Sequence, residues 1–307
     1  MHNGVSFDAP ILNRILGCGI QLNRIRDTLI ESQLYNPIRD GGHSLETWGK
    51  TLNFPKGDFN DYKTYSENML EYCIRDAELT WKVAHELEKE SKNFSRKSLD
   101  LENKVRVVLD RQQKNGFAFN IMEAIILLSR LEQEEQELQK KAEETFPPKE
   151  IQLKTKIKYI PFNIASRKQI AERLQEKGWK PDSHTDKGNI IINEKILSTI
   201  TEPAIKPYAE MFSRFFLLQK RTGLLKSWIK ECEEDNRVRG RVMTLKTITG
   251  RMAHHSPNMA QVPAVYSPYG KECRDLWTVG NTDTHSLVGT DASGLELRCL
   301  AHYMVDP

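Results

Sequence analysis

Two carboxylates in the stretch TDASGLELRCLAHYM, residues 290–304, have the type and spacing to do chemistry. Asp291 follows the apolar residues Leu287 and Val288, and a helical pattern begins directly after it. This order predicts a strand that ends at Asp291 and aims its carboxylate into a cleft. Carboxylate oxygens are hard ligands that suit Mg²⁺, which keeps part of its water shell. The alternative is an ordinary carboxylate at a helix start, without a metal. Ser293 and Glu296 also fit the capping box S-x-x-E, in which the glutamate satisfies backbone N–H groups.

Polar and basic residues upstream have the chemistry to bind nucleic acid. Arg251 lies in TITGRMAHHSPNMAQVP, residues 247–263, and an arginine can donate paired hydrogen bonds to phosphate or to minor-groove acceptors. The densest basic tract of the chain contains Lys220, Arg221, Lys226, Arg237, Arg239, Arg241 and Lys246. Such a tract binds phosphates without reading sequence. A solvated surface is the ordinary alternative for each of these residues.

A third set of candidates lies near the N-terminus of the sequence. The segment HNGVSFD contains Asn3, Phe7 and Asp8, and YCIRD contains Tyr72 and Asp76. Residues four apart on a helix share one face, so Tyr72 and Asp76 can point into one site. The alternative is a plain helix face with no chemical role.

Composition sets limits on the class of protein. The 307 residues are 38% hydrophobic and 28% charged, which is ordinary for a globular protein. A net charge of +3 is too small to identify a nucleic-acid binder by itself. The five cysteines are scattered without metal-binding spacing, so we expect reduced thiols in a cytoplasmic setting. No apolar run is long enough to cross a membrane, and no signal peptide is evident.

The elements that must position these residues change character along the chain. Residues 1–93 are predicted to be α/β or α-rich, with one long helix after the N-cap Ser66. Residues 96–230 are predicted to be mainly helical, with helix boundaries at Gly116, Asn120 and Gly178. From about residue 236, β-branched residues, glycines and arginines predict short strands and loops, ending with a strand over LVGTD.

The motifs between residues 244 and 304 resemble those of the family A (polymerase-I-like) DNA polymerases, most closely the replicative phage members. In that family a TGR…PN…Q.P segment precedes the motif D-x-S-x-x-E-x-R with a trailing A-H. The resemblance implies that Asp291 is one of two metal-bridging carboxylates and that the Ala292 carbonyl contributes to the metal or triphosphate site. It implies that Ser293 and Glu296 bind the nucleotide, with Glu296 disfavouring a 2′-OH. Arg298 and His302 could be site residues or helix-face residues.

The same resemblance implies contacts with DNA and a second site. Thr249, Arg251, Asn258 and Gln261 would contact the primer–template, with Arg251 and Gln261 in its minor groove, while Lys220 and Arg221 would bind phosphates. An exposed arginine and a loop glutamine are the alternative for Arg251 and Gln261. The N-terminal segments are similar to the second and third motifs of DEDD-type 3′–5′ exonucleases, and residues 43–49 also resemble the phage enzymes. Asp76 would then be a metal ligand, Tyr72 would orient the attacking water, and Asp8 would stand in the outer metal shell.

The resemblance implies a fold that is α/β plus helical, in three parts. Residues 1–95 would be the C-terminal part of a ribonuclease-H-like exonuclease domain, 96–235 a helical thumb, and 236–307 the beginning of an α+β polymerase palm. The family's first exonuclease motif, its fingers helix and its second palm carboxylate motif are not among the 307 residues. The sequence therefore predicts an internal fragment that is inactive alone and poorly soluble, since the apolar residues near Asp291 would lack partners.

The implied reaction is template-directed nucleotidyl transfer in phage replication, with proofreading. Its cofactor would be Mg²⁺ in two-metal sites, with Mn²⁺ as an alternative, and its partners primer–template DNA and deoxynucleoside triphosphates. The location would be the cytoplasm, that of the host for a phage-encoded enzyme. A thioredoxin-type processivity partner is not expected, because the connection from Phe146 to Tyr159 is short. Rival hypotheses are a stand-alone DEDD-type exonuclease and a non-catalytic DNA-binding remnant of a polymerase.

Overall fold

The computed structural model describes residues 1–152 and 157–305. The helices are α1 (Asp8–Leu16), α2 (Thr28–Tyr35), α3 (Leu45–Thr51), α4 (Glu67–Glu90), α5 (Arg96–Asn115), α6 (Ile121–Thr145), α7 (Arg167–Glu176), α8 (Glu194–Ser198), α9 (Lys206–Lys230), α10 (Gly270–Asp275) and α11 (Leu295–Met304). The strands are β1 (Phe117–Phe119), β2 (Lys149–Gln152), β3 (Ile157–Ile160), β4 (Arg237–Val238), β5 (Arg241–Met243), β6 (Ala253–His255) and β7 (Trp277–Thr278). No helix in the described part of the chain is long and apolar enough to cross a membrane.

The chain divides into two compact units, each assembled from separate ranges. The first unit contains Met1–Gly116, Lys230–Glu233 and Val238–Val262, and the second contains Phe117–Ile229, Glu234–Arg237 and Pro263–Pro307. Helix α5 therefore belongs to the first unit, although the sequence places a boundary at residue 95. The three functional domains predicted from the sequence, 1–95, 96–235 and 236–307, stay predictions.

The first unit is helical where the sequence predicted a mixed or helical region. Residues 1–116, all of them described, contain helices and turns but no β-strand. The long helix begins as predicted, because the Ser66 side chain accepts a hydrogen bond from the Met69 amide. Leu79, Val83 and Leu87 recur at helical spacing and bury the same face of α4. Of the two alternatives predicted for residues 1–93, the structure has the helical one. The segments that join the helices are turns and loops, several of them containing Pro or Gly.

A hairpin from late in the chain completes the first unit. Strand β5 pairs antiparallel with β6, and Arg241 stands opposite His255 in the register. The Arg106 guanidinium on α5 donates to the Val242 carbonyl oxygen at 2.8 Å. Helix α5 ends at Asn115, directly before the predicted stop at Gly116, whose φ of +63° favours glycine.

The second unit has the larger apolar core. Residues of α6, α7, α8 and α9 contribute to it, and Phe212 on α9 is fully buried. Helix α6 begins at the predicted cap, where the Asn120 side chain accepts from the Glu123 amide at 3.3 Å. Strand β1 pairs antiparallel with β7, opposing Phe119 to Trp277. Strands β2 and β3 also pair antiparallel. Residues 153–156 of that connection lie outside the described residues, so the prediction about a thioredoxin-type partner stays a prediction.

Replacing Phe212 with alanine is expected to lower the free energy of unfolding by about 3–5 kcal/mol, the usual cost of truncating a buried phenylalanine. The ring centre of Phe212 lies 5.7 Å from that of Phe146 and 5.9 Å from that of Phe162, so truncation leaves a cavity among aromatic rings. Urea unfolding would measure the change. Tyr266→Ala is the matched control, because Tyr266 is 94% exposed and should change stability by less than about 0.5 kcal/mol. Equal losses in both variants would contradict the core assignment.

Candidate metal and nucleic-acid sites

Asp291 lies in an exposed irregular segment rather than at the end of a strand. The predicted strand over LVGTD is wrong: Leu287 is 60% exposed and Val288 is 89% exposed, and no strand is assigned at these residues. A strand needs a hydrogen-bonded neighbour, and none pairs with this segment among the described residues. The carboxylate therefore faces solvent ahead of α11.

The N-cap of α11 differs from the predicted capping box, which would begin at Ser293. Gly294 is the N-cap, with a φ of +59° and no side-chain capping hydrogen bond. The Arg298 guanidinium instead donates from Nε to the Ser293 carbonyl oxygen at 2.9 Å. Ala292, Ser293 and Glu296 are all exposed, so a ligand from solution can approach them.

A complete metal site is not assembled by this segment. Within residues 1–152 and 157–305, no group of three or more His, Cys, Asp and Glu side chains could hold a metal ion. Mg²⁺ in nucleotide-binding sites is often held by one or two carboxylates together with phosphates and water. The donor chemistry of Asp291 fits that arrangement as a single ligand, with the remaining positions left to substrate and water.

A tight turn presents Arg251 two residues before β6. The Arg251 amide donates to the Thr247 hydroxyl at 2.8 Å, and the Gly250 amide donates to the Thr247 carbonyl at 2.9 Å. The Thr247 and Thr249 hydroxyls are hydrogen-bonded at 3.1 Å. Because the backbone is fixed by these bonds, the exposed Arg251 side chain projects from a defined position.

Asn258 and Gln261 follow β6 in the sequence, whereas Arg251 precedes it. The Asn258 side-chain oxygen accepts from the Ala260 amide at 3.0 Å, a local turn that Asn favours. Gln261 is exposed. Strand β6 thus separates the two predicted DNA-binding segments, and both belong to the first compact unit.

Part of the predicted basic tract is paired with carboxylates. Ion pairs join Lys220 to Glu194 at 2.8 Å, Lys226 to Glu132 at 2.8 Å and Arg239 to Glu233 at 2.9 Å. Arg221 instead donates to the Pro268 carbonyl oxygen at 3.2 Å. A phosphate must compete with these partners, so the tract has less binding capacity than its sequence suggests.

Tyr72 and Asp76 come together on α4 around a lysine that the sequence did not single out. The Lys56 ammonium lies 3.3 Å from Asp76 Oδ2 and 5.0 Å from the centre of the Tyr72 ring. Burial raises the pKa of the Tyr72 hydroxyl. Burial alone would lower the pKa of Lys56, but its contacts with Tyr72 and Asp76 raise it overall.

The second carboxylate oxygen of Asp76 lacks a hydrogen bond among the described residues. In the described part of the chain, Asp76 Oδ1 is buried and has no hydrogen-bond partner. A buried polar atom is normally satisfied by protein, water or an ion. This orphaned hard oxygen fits a divalent cation as one ligand, with water and substrate as the others.

Asp8 has different electrostatic neighbours from Asp76. Burial raises the pKa of the Asp8 carboxyl, against the opposing positive amino terminus, and Asp27 adds to the rise. Asp27 is itself buried and accepts hydrogen bonds from the amides of Asn3 at 2.8 Å and Leu29 at 3.0 Å. Phe7 is 60% exposed. Asp27 was not among the residues predicted from the sequence, although an Asp directly before a helical segment is a recognisable N-cap signal.

The segment that includes residues 43–49 forms part of the core beside α4. Ser44 caps α3 by accepting from the Thr47 amide at 3.1 Å. Trp48 is buried, and its indole N–H donates to the Ser32 hydroxyl at 3.2 Å. The structure thus gives this segment a packing role next to the helix that contains Tyr72 and Asp76.

Comparison with known families shows which protein family the chain belongs to. The sequence profile of DNA polymerase family A matches residues 128–307, which is more than half of the chain. The chain belongs to DNA polymerase family A. The matched region contains Asp291 and the turn of Arg251, whereas Tyr72 and Asp76 lie outside it.

Relatives from two phages align with nearly all of this family A chain. It is 26% identical to the DNA-directed DNA polymerase of Escherichia phage T7 over an alignment 432 positions long, which covers 99% of the chain and 61% of the relative. The DNA-directed DNA polymerase of Enterobacteria phage T3 gives the same identity and coverage. The chain therefore spans about three fifths of the length of these phage relatives.

A solved structure shares the fold of this family A chain. The POL domain of Pol1 from M. smegmatis, in complex with DNA primer-template and dNTP, superposes with a TM-score of 0.70 at 18% identity. The match covers 90% of the present chain and 45% of the other. At this identity the likeness supports the fold alone.

Proposed function

We propose that the protein is a template-directed DNA polymerase that joins deoxynucleoside triphosphates to a primer, in phage DNA replication. One observation carries the proposal: the segment DASGLE stands after TGR and PN..Q inside the region that matches family A. The phage relatives are named as DNA-directed DNA polymerases, and their alignment with 99% of the chain supports the same activity here.

Asp291 would hold a divalent cation together with the triphosphate of the incoming nucleotide. When bound there, divalent cations would supply positive charge that stabilises the attacking 3′ oxygen and the leaving pyrophosphate. The Ala292 carbonyl would contribute to the same metal or triphosphate site, and Ser293 would contact the nucleotide. Glu296, in the first turn of α11, would contact the sugar and disfavour a 2′-OH. Exposure of all four residues supports access by a nucleotide from solution.

Primer extension tests the proposed polymerase activity. The protein encoded by its complete reading frame is incubated with a labelled primer–template, deoxynucleoside triphosphates and Mg²⁺, with Mn²⁺ and EDTA in parallel. Template-directed extension that EDTA abolishes is the expected result. DNA binding without extension would favour the non-catalytic remnant, and shortening of the primer alone would favour a stand-alone exonuclease.

Replacing Arg251 with alanine is expected to weaken primer–template binding about tenfold to a hundredfold, because a charged, bidentate hydrogen-bond donor is lost. Minor-groove acceptors are nearly the same in all sequences, so the loss should be similar for primers of different sequence. Fluorescence anisotropy with several primer–templates would measure it. Arg96→Ala is the matched control, since Arg96 is an exposed arginine of the same unit, paired with Asp100 at 3.4 Å. A loss confined to one primer sequence would argue against minor-groove contact.

A second activity, 3′–5′ proofreading hydrolysis, is proposed for the first compact unit. The observation in its favour is the apposition of Tyr72 and Asp76 on α4, with Asp76 Oδ1 buried and without a partner among the described residues. Asp76 would act as a metal ligand and Tyr72 would orient the attacking water, with Asp8 in the outer shell. Mg²⁺-dependent shortening of a single strand from its 3′ end, in the same protein preparation, is the expected result.

A further inference from the structure

The loop between α3 and α4 is fastened to α4 and fixes the position of Lys56. The Arg75 guanidinium donates from Nε to the Pro55 carbonyl oxygen at 2.6 Å. Gly57 packs so closely on α4 that a Cβ there would lie 3.2 Å from Cδ2 of Tyr72. Lys56 stands between these two anchor points, so its backbone is held against the helix.

The Lys56 ammonium has hydrogen-bonding capacity beyond its two known partners. It carries three N–H donors and a positive charge at neutral pH. Asp76 Oδ2 lies 3.3 Å from it, and the Tyr72 side chain is a second partner. The side chain of Lys56 is 30% exposed, so a third partner can approach from solution.

The Tyr72 ring beside this ammonium belongs to an aromatic cluster with one exposed member. The ring centre of Phe59 lies 5.2 Å from that of Tyr62 and 5.6 Å from that of Tyr72. Tyr62 is 58% exposed. A positive charge beside stacking aromatic faces is the combination by which proteins bind single-stranded nucleic acid without sequence preference.

Charge balance indicates what the lysine does there. A phosphodiester that approaches Asp76 meets a like charge, which is unfavourable unless a cation offsets it. We propose that Lys56, held beside Asp76, binds a phosphate of single-stranded DNA, while Tyr62 provides a stacking face for a base. This inference rests on the proposed exonuclease function, and it adds a substrate-binding residue to that site.

The salt dependence of single-strand binding tests the inference without any catalysis. Affinity of the complete protein for a short single-stranded oligonucleotide is measured in EDTA over a range of salt concentrations. Each phosphate contact to a single strand contributes about −0.7 to the slope of log affinity against log salt. Lys56→Ala should therefore reduce the magnitude of the slope by about 0.7, and Lys56→Arg should restore it because the charge is retained.

Lys50→Ala is the matched control, because Lys50 is an exposed lysine on α3 paired with Glu46 at 2.7 Å. It should leave the slope unchanged. An identical slope for the wild type and Lys56→Ala, or no binding of the oligonucleotide, would overturn the inference.

Hydrolysis is measured separately with Mg²⁺ so that the two proposals fail differently. A Lys56-dependent slope without hydrolysis by the wild type supports the phosphate contact and rejects the exonuclease. Hydrolysis with a slope that Lys56→Ala leaves unchanged keeps the exonuclease and rejects the role of Lys56.

Discussion

Changing Asp291 to asparagine is expected to reduce Mg²⁺-dependent nucleotide incorporation about a thousandfold, equivalent to about 4 kcal/mol of transition-state stabilisation. Asparagine keeps the shape of the side chain but removes the charge that a divalent cation requires of a ligand. Asp291 is exposed and has no structural partner to lose in the described part of the chain, so folding should be unaffected. Single-nucleotide primer extension, with the complete protein in excess over primer, measures the rate.

Asp283→Asn is the control for this experiment. Asp283 is an exposed aspartate of the preceding loop, and its amide donates to the Asn281 side chain at 2.9 Å. Incorporation by the Asp283 variant should stay within about twofold of the wild type, as for an ordinary surface change. If Asp291→Asn also stayed within about tenfold, the proposed metal-binding role would be rejected.

Changing Asp76 to asparagine is expected to lower 3′–5′ hydrolysis at least about a hundredfold while leaving incorporation nearly unchanged. The reason is that the buried Asp76 Oδ1, which has no partner among the described residues, loses the charge that would attract a cation. Release of labelled nucleotide from a single-stranded 3′ end measures hydrolysis, and primer extension on the same preparation measures incorporation.

Glu78→Gln is the control for Asp76, because Glu78 is an exposed carboxylate on the same helix. It should alter neither reaction. Equal losses of hydrolysis and incorporation in Asp76→Asn would mean that the substitution damages the protein generally. Unchanged hydrolysis would remove Asp76 from the proposed site.

Local signals in the sequence predicted the helices well. Ser66, Asn120 and Gly116 stand at helix ends as expected, because capping depends on a side chain and a backbone group within a few residues. The membership of family A was also predicted, since the motifs around Asp291 and Arg251 are read directly from the sequence, and the family match confirms it.

Features that depend on distant partners were not predictable in the same way. The apolar run before Asp291 satisfies the pattern of a strand, but pattern alone supplies no neighbouring strand to pair with. Lys56 lies in a loop with no motif, and its contact with Asp76 arises only when the loop folds back on α4. The ion pairs that occupy Lys220 and Lys226 likewise join residues far apart in sequence. The roles proposed for Asp291 and Asp76 stay predictions.

The division of each compact unit among separate ranges has a consequence for synthesis on the ribosome. The first unit needs residues up to Val262, because the Val242 carbonyl is bonded to Arg106 across 136 positions of sequence. The apolar cluster of Ile30 and Leu99, which Leu245 completes, must therefore stay incomplete while most of the second unit is translated. A chaperone that binds apolar surface would bind the nascent chain during that interval. Slower translation of the residues before 262 would lengthen the interval.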